Sequence, residues 1–240
     1  MTIQIEDIAY DDDGVACLGY LAYDDAVAGE QPGVLVVHEA WGLGAHAKER
    51  ARMVAELGYV AFAADLFGDR RQVTPAEVKD VIGPLAANPP ALRQRAGAAL
   101  STLAAMTRVD AQRLFGIGFC FGGTTVLELA RDGTDLLGVV GFHSKLGTAA
   151  PAQPGAIKAS ILTLIGADDP LIEPEERTAF EAEMREAGAD WQMVLYGNTQ
   201  HSFTNREADG SVMPGVVYDA LADQRAWAAM IGFLDGLLAR

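Results

Sequence analysis

Short runs of apolar, β-branched residues alternate with stretches of helical period through most of the chain. Gly33-Val34-Leu35-Val36-Val37-His38 has no polar position before its end, the pattern of a strand buried on both faces. Ala47–Leu57 follows as a helix closed by Gly58 at the left-handed cap position, and Tyr59–Ala64 is the next strand. Strand, helix and strand at that spacing form a βαβ unit with a right-handed crossover. Ahead of it, Ile3–Tyr10 and Val15–Tyr23 read as strands joined by Asp11-Asp12-Asp13-Gly14. That acidic cluster lacks the ligand spacing and later glutamate of a calcium-binding loop, so it reads as a turn.

The alternation continues downstream. Leu92, Ala96, Ala99, Leu100 and Leu103 recur at helical spacing. Arg113–Phe119 is a strand, Phe121–Ala130 a helix, and Leu137–Phe142 and Ile161–Ile165 are strands. Pro174–Ala187 is a helix with a Glu181–Arg185 pair, ended by Gly188, and Trp191–Tyr196 is the last strand. Trp227, Ile231, Leu234 and Leu238 stripe a final helix. The sum predicts an α/β fold, a mostly parallel sheet with helices on both faces. Ligands in such folds bind at the carboxyl ends of the strands.

Composition narrows the classes. The 240 residues, half of them hydrophobic, suit a single domain over 1–240 with one sizeable core. A formal net charge of -15 opposes phosphate backbones and anionic lipid surfaces, so neither nucleic acid nor membrane is expected as a partner. No apolar run is long enough to span a bilayer, and Met1–Asp7 shows no signal-peptide pattern. With only Cys17 and Cys120, a disulfide framework is not expected, and a reducing, cytoplasmic compartment fits a persistent free thiol.

The sharpest chemical signal is Gly118-Phe119-Cys120-Phe121-Gly122-Gly123, between a predicted strand and helix. This is the layout of a nucleophile elbow, with cysteine where serine is usual. Gly118 and Gly122 remove side chains that would collide in so tight a turn. The helix starting at Phe121 directs its amino end at the sulfur, favouring thiolate, and the Phe121 N–H can serve an oxyanion. A dinucleotide-binding loop is the weaker reading, because the next strand ends in Phe142-His143-Ser144 without the acidic residue that would hold a ribose. Cys17, in an apolar strand, reads as core.

A thiol nucleophile needs a base. His201 follows the last predicted strand, and Gly166-Ala167-Asp168-Asp169-Pro170 follows the one before it. Nucleophile, acid and histidine in that order are those of α/β-hydrolases. Either aspartate can orient the imidazole, the other capping the turn. His38-Glu39 ends a strand at the same edge, but Ala40-Trp41-Gly42-Leu43-Gly44 delays His46 too far for a zincin-like site, so no metal is expected. Glu39 could exchange a proton with the sulfur, and the Ala40 N–H could be a second oxyanion donor. His143 is a rival base by chemistry but stands too early in chain order, and reads as a pocket residue.

These features together resemble the dienelactone hydrolase (carboxymethylenebutenolidase) family of the α/β-hydrolase superfamily. The resemblance rests on His38-Glu39-Ala40-Trp41-Gly42, Asp65-Leu66-Phe67-Gly68, the cysteine elbow, the glycine–aspartate loop and Gln200-His201-Ser202-Phe203, in this order. It implies a cofactor-free hydrolase of small esters or lactones. Cys120 would attack the carbonyl, with Ala40 and Phe121 N–H groups on the oxyanion and His201 assisting the leaving group and then water. It favours Asp169 as the acid, since the family's acid precedes a short apolar pair and a proline, and it gives Glu39 the resting thiol's proton. Trp41, His143 and Ser202 become candidate substrate contacts. The family prototype also grips a substrate carboxylate with two arginines. Here Asn205 stands where the second would fall, with Arg206 one step on, and Arg70 or Arg71 could be the first. Two alternatives share the scaffold: a ligand-binding or redox-sensing protein, which would need neither histidine nor acid, and a thioesterase-type acyl hydrolase. A monomer and a homodimer are equally compatible with the sequence.

Overall fold

The structure is a computed structural model that describes residues 2–240; Met1 of the domain expected over 1–240 lies outside the described residues. Hydrogen bonding orders the strands β1-β2-β4-β3-β5-β6-β7-β8 in an eight-stranded sheet. The chain divides into two compact units, one ending at Ile117 and one running from Gly118 to Arg240.

In the first unit, β1 (Ile3–Asp12) and β2 (Val15–Asp24) form an antiparallel hairpin, Ile3 facing Asp24 and Asp12 facing Val15. β2 also pairs antiparallel with β4 (Val60–Ala63), and β4 runs parallel to β3 (Gln31–Val37). Val34–Val37 and Val60–Ala64 are wholly buried, which is why these stretches carry no polar alternation. Helix α1 (Ala45–Glu56) packs against β2, β4 and β3, and α3 (Pro89–Ala104) against β1 and β3. Asn88 caps α3, its Oδ1 accepting from the Ala91 N–H, with Pro89 at the first position. There, proline's missing donor and fixed φ cost nothing.

Two elements differ from the sequence expectation. Helix α2 (Val78–Ala86) is absent from it, although Val78, Val81, Ile82 and Leu85 recur at helical spacing. Pro84 inside the helix interrupts the pattern, and none of its residues is fully buried. Strand β5 (Val109–Phe119) starts four residues before the expected Arg113. Among its early residues Asp110 is half-buried and Ala111 and Gln112 are exposed, so hydrophobicity does not reveal them.

The second unit opens on the last two residues of β5. It continues through α4 (Phe121–Arg131), β6 (Gly138–Phe142), β7 (Ser160–Gly166), α5 (Pro174–Ala187), β8 (Trp191–Tyr196) and α6 (Ala220–Leu238). β6, β7 and β8 are mutually parallel. Helix α4 packs on β6, and α6 on β6 and β7. The rings of Phe119 and Phe142 stack at 4.7 Å beneath the turn into α4. Buried Arg131 at the end of α4 pairs with Glu128 and Glu183 and donates to the Leu146 carbonyl, tying α4 to α5 and to the loop after β6. Such a group is buried only because each of its donors is answered.

Candidate active site

The turn from β5 into α4 is tight enough to hold Cys120 at φ 53°, backbone that L-residues other than Asn and Asp seldom adopt. A Cβ on Gly118 would fall on the backbone carbonyl of Gly122, so the approach requires glycine. The Cys120 N–H donates to the Phe142 carbonyl (2.9 Å), and the Cys120 carbonyl accepts from Gly123 and Thr124 in the first turn of α4. The thiol is partly exposed at the amino end of the helix, where the backbone dipoles favour negative charge. Phe121, the first residue of α4, places its N–H beside it in the chain.

The loop after β7 presents two aspartates in opposite senses. Asp168 is exposed. Asp169 is buried; its Oδ1 accepts from the Leu171 N–H (2.8 Å) and its Oδ2 from His201 Nδ1 (2.7 Å). His201 is held through its backbone as well, its N–H donating to Gly215 O and its carbonyl accepting from the Val217 N–H, both at 2.9 Å. Nε2 is buried and, among the described residues, meets no partner in good hydrogen-bond geometry, yet the Cys120 thiol is near enough to act on the ring. Burial alone would push the His201 pKa down. The charge and hydrogen bonding of Cys120, with the Asp169 carboxylate, outweigh it and push the pKa up to about 10.

His143, expected as a pocket residue, has no exposed surface. Nε2 shares a 2.8 Å hydrogen bond with Thr204 Oγ1, and the ring meets the His201 ring edge to face with centroids 5.1 Å apart. Burial withdraws it from direct contact with a substrate. Ser202 is also buried, at φ 54°. Asn205 is buried too, and its Oδ1 accepts from the Glu207 N–H, shaping its own loop.

The remaining sequence candidates lie in the first unit. Glu39 is buried, its Oε2 3.5 Å from His46 Nδ1. His38 Nδ1 bonds the Glu39 carbonyl (2.6 Å) while Nε2 accepts from the Leu66 N–H (3.3 Å). Burial pushes its pKa down, so it is a neutral ring whose lone pair is engaged within the fold. Ala40 is buried and Trp41 half-exposed, the Trp41 carbonyl accepting from the Val73 N–H. The Arg70 guanidinium is bidentate to Asp7 and donates to the carbonyls of Leu18 and Gly19. Arg71 pairs with Glu77 at 3.1 Å. The Asp65 carboxylate accepts from the N–H groups of Leu18, Gly68 and Arg70, so that motif organises the strand end.

The sequence model of the dienelactone hydrolase family matches residues 18–238. The chain belongs to the dienelactone hydrolase family. Two solved structures are similar to this dienelactone hydrolase-family chain over 99% of each partner's length. A metagenomic dienelactone hydrolase-like promiscuous phosphotriesterase, P91, shares 40% identity at TM-score 0.93. The protein described as m3DLH shares 43% at TM-score 0.94. A Salmonella typhimurium protein, provisionally named carboxymethylenebutenolidase, is 28% identical over 88% of this chain and 80% of its own. Membership makes this chain a hydrolase of the carboxylic ester and lactone class.

Within this dienelactone hydrolase-family chain, two further residues contact candidate residues or their loops, each inside its own unit, and carried no readable signal. His46 meets Glu39 from the start of α1, though the intervening glycines obscure that approach in the sequence. Gly215, at φ 87°, lies so close to the Pro170 ring that a Cβ would overlap it. It thereby joins the loop behind His201 to the loop carrying Asp169.

Proposed function

We propose that the chain hydrolyses small esters or lactones through a thiol, with Cys120 as nucleophile, His201 as acid and base, and Asp169 orienting the imidazole. The observation that carries this reading is that the His201 ring donates from Nδ1 to a buried carboxylate while its charge state answers to the Cys120 thiol. A ring so held has one nitrogen left for chemistry, as in the acid–imidazole–nucleophile arrangement of acyl-transfer enzymes.

In the first half-reaction Cys120 Sγ, its proton passed to His201 Nε2, forms a bond to the acyl carbon, and the carbonyl electrons move onto oxygen beside the amino end of α4. The C–O bond to the leaving group then breaks, and the departing oxygen takes the proton of His201 Nε2. In the second half, His201 removes a proton from water as it attacks the thioester. The C–S bond breaks, the carboxylic acid leaves, and the proton taken up by His201 returns the thiol–imidazole pair to its starting charge. Phe121 N–H enters as oxyanion donor from its position after Cys120. The Ala40 N–H as second donor, and Glu39 as holder of the resting thiol's proton, join the proposal on the strength of the His38–Gly42 motif.

Cys120→Ala and Cys120→Ser, assayed beside the parent on p-nitrophenyl acetate and a dienelactone, test the reading. Loss of turnover with retained folding is expected. Parent-level turnover by Cys120→Ala would exclude the thiol as nucleophile. A second reading, cleavage of activated phosphotriesters by the same residues, draws on the 40% identical neighbour's description as a promiscuous phosphotriesterase. Adding an activated phosphotriester to the panel decides it, with cysteine-dependent release of the leaving phenol as the supporting result.

A further inference from the structure

Phe142 and His143, at the end of β6, contact Cys120, the strand before Asp169 and the loop of His201. The Phe142 carbonyl accepts the Cys120 N–H (2.9 Å), and the His143 N–H donates to the Leu164 carbonyl (2.8 Å) of the strand that leads to Asp169. The His143 ring stands against the His201 ring at 5.1 Å with planes 67° apart, and against Phe203 at 5.1 Å and 81°. Its Nε2 reaches Thr204, itself wholly buried and three residues beyond His201. The backbone here thus joins the strands leading to the proposed nucleophile and acid, while the His143 side chain meets the loop of the proposed base.

The backbone at His143 is strained. Its φ of 41° is one that glycine adopts without cost and a β-carbon opposes. Strain of this kind persists where the surroundings over-determine it, and it clusters at functional sites. Cys120 and Ser202 share the same unusual sign of φ. A phenylalanine could fill comparable space beside Phe203, but only a polar ring also ties β6 to Thr204. The contact fixes the plane of a neighbour, since an edge-to-face pair loses its attraction when either ring turns.

We propose that His143 is a positioning residue, a buried wedge tethered to Thr204 that sets the plane of the His201 imidazole and keeps Nε2 directed at the Cys120 sulfur. This rests on the thiol mechanism proposed above and adds to it a group, besides the carboxylate, that holds the base. The wedge acts through His201 and touches no substrate. Removing it therefore lowers the rate of bond making and breaking and leaves substrate affinity in place.

The test compares His143→Ala, His143→Phe and Thr204→Val with the parent, using p-nitrophenyl acetate turnover, iodoacetamide alkylation of Cys120 across pH, and thermal unfolding. A folded His143→Ala is expected to lose about 30-fold in kcat with KM changed less than about threefold, as for misplacement of a catalytic group by a fraction of an ångström. Its alkylation profile moves along the pH axis, which a merely structural defect does not cause. His143→Phe keeps the wedge and falls between the two. If His143→Ala does not fold, Thr204→Val decides: a lower kcat at constant KM with a displaced alkylation profile supports the proposal, and parental values overturn it. A folded His143→Ala with parental kcat overturns it, as does one in which KM alone rises. Failure of the thiol mechanism reads out separately, because Cys120→Ala would then remain active whatever His143 does.

Discussion

His201 Nδ1 donates to Asp169 Oδ2 over 2.7 Å, and neither side chain has more than a trace of exposed surface. The residues are 32 apart in the chain, so their meeting is a product of parallel pairing between β7 and β8, which brings the two strand-end loops side by side. A carboxylate buried against an imidazole fixes both its tautomer and its orientation. Because Oδ1 is already engaged by the Leu171 N–H, the carboxylate cannot rotate away from the ring.

Asp169→Asn is therefore expected to lower kcat on activated esters by about 10²- to 10⁴-fold, since an amide leaves the geometry but presents the wrong hydrogen-bonding group to the ring. Asp168→Asn, altering an exposed side chain, should stay close to parental turnover. Steady-state assays of the two variants decide the matter, and equal losses would contradict the distinction.

The titration of His201 has a definite sign. Burial works to lower its pKa, but Cys120 and Asp169 together raise it from 6.5 to about 10. A group whose folded pKa exceeds its unfolded value adds stability that is fully present below the unfolded value. Here that means full stabilisation below about pH 6.5, decline above it, and loss as pH rises through about 10. Nitrogen-15 NMR should show His201 doubly protonated at pH 8, with Asp169→Asn moving the midpoint downward. A parental ring that titrates between pH 6 and 7 would refute the assignment.

Gly118 and Gly215 should resist substitution for different reasons. At Gly118 an added Cβ meets the backbone of Gly122, which cannot yield without opening the turn, so Gly118→Ala should cost about 3 kcal/mol or more. At Gly215 the obstacle is a positive φ together with the Pro170 ring, for a loss of about 1–3 kcal/mol. Urea unfolding of Gly215→Ala with and without Pro170→Ala separates these two contributions. Partial recovery in the double variant is expected, because truncating the proline relieves the contact and leaves the φ strain.

Arg70 and Arg71 were both candidates for gripping a substrate carboxylate. The Arg70 guanidinium is taken up by Asp7 and two carbonyls of β2, so Arg70→Ala should cost about 1 kcal/mol, discounted for the exposure of Asp7, while leaving KM unchanged. Thermal unfolding beside KM for a carboxylated lactone tests this. A large rise in KM without loss of stability would return Arg70 to the substrate.

Local pattern alone specified much of this fold. Pro174–Ala187 and Trp191–Tyr196 coincide with α5 and β8, because proline at the helix start, glycine after its end and an edge of alternating residues act over a few positions. The strand–turn–helix at Cys120 was legible for the same reason, since the glycines that the turn needs lie beside it. Tertiary structure decided what depends on residues distant in sequence. It buried His143 beside His201 and drew Arg70 to Asp7, 63 positions away. It also set Gly215 against Pro170 and carried helix α2 through Pro84. A side chain's neighbours along the chain are given by its position, whereas its neighbours in space follow from strand order and loop closure, which no short window of residues contains.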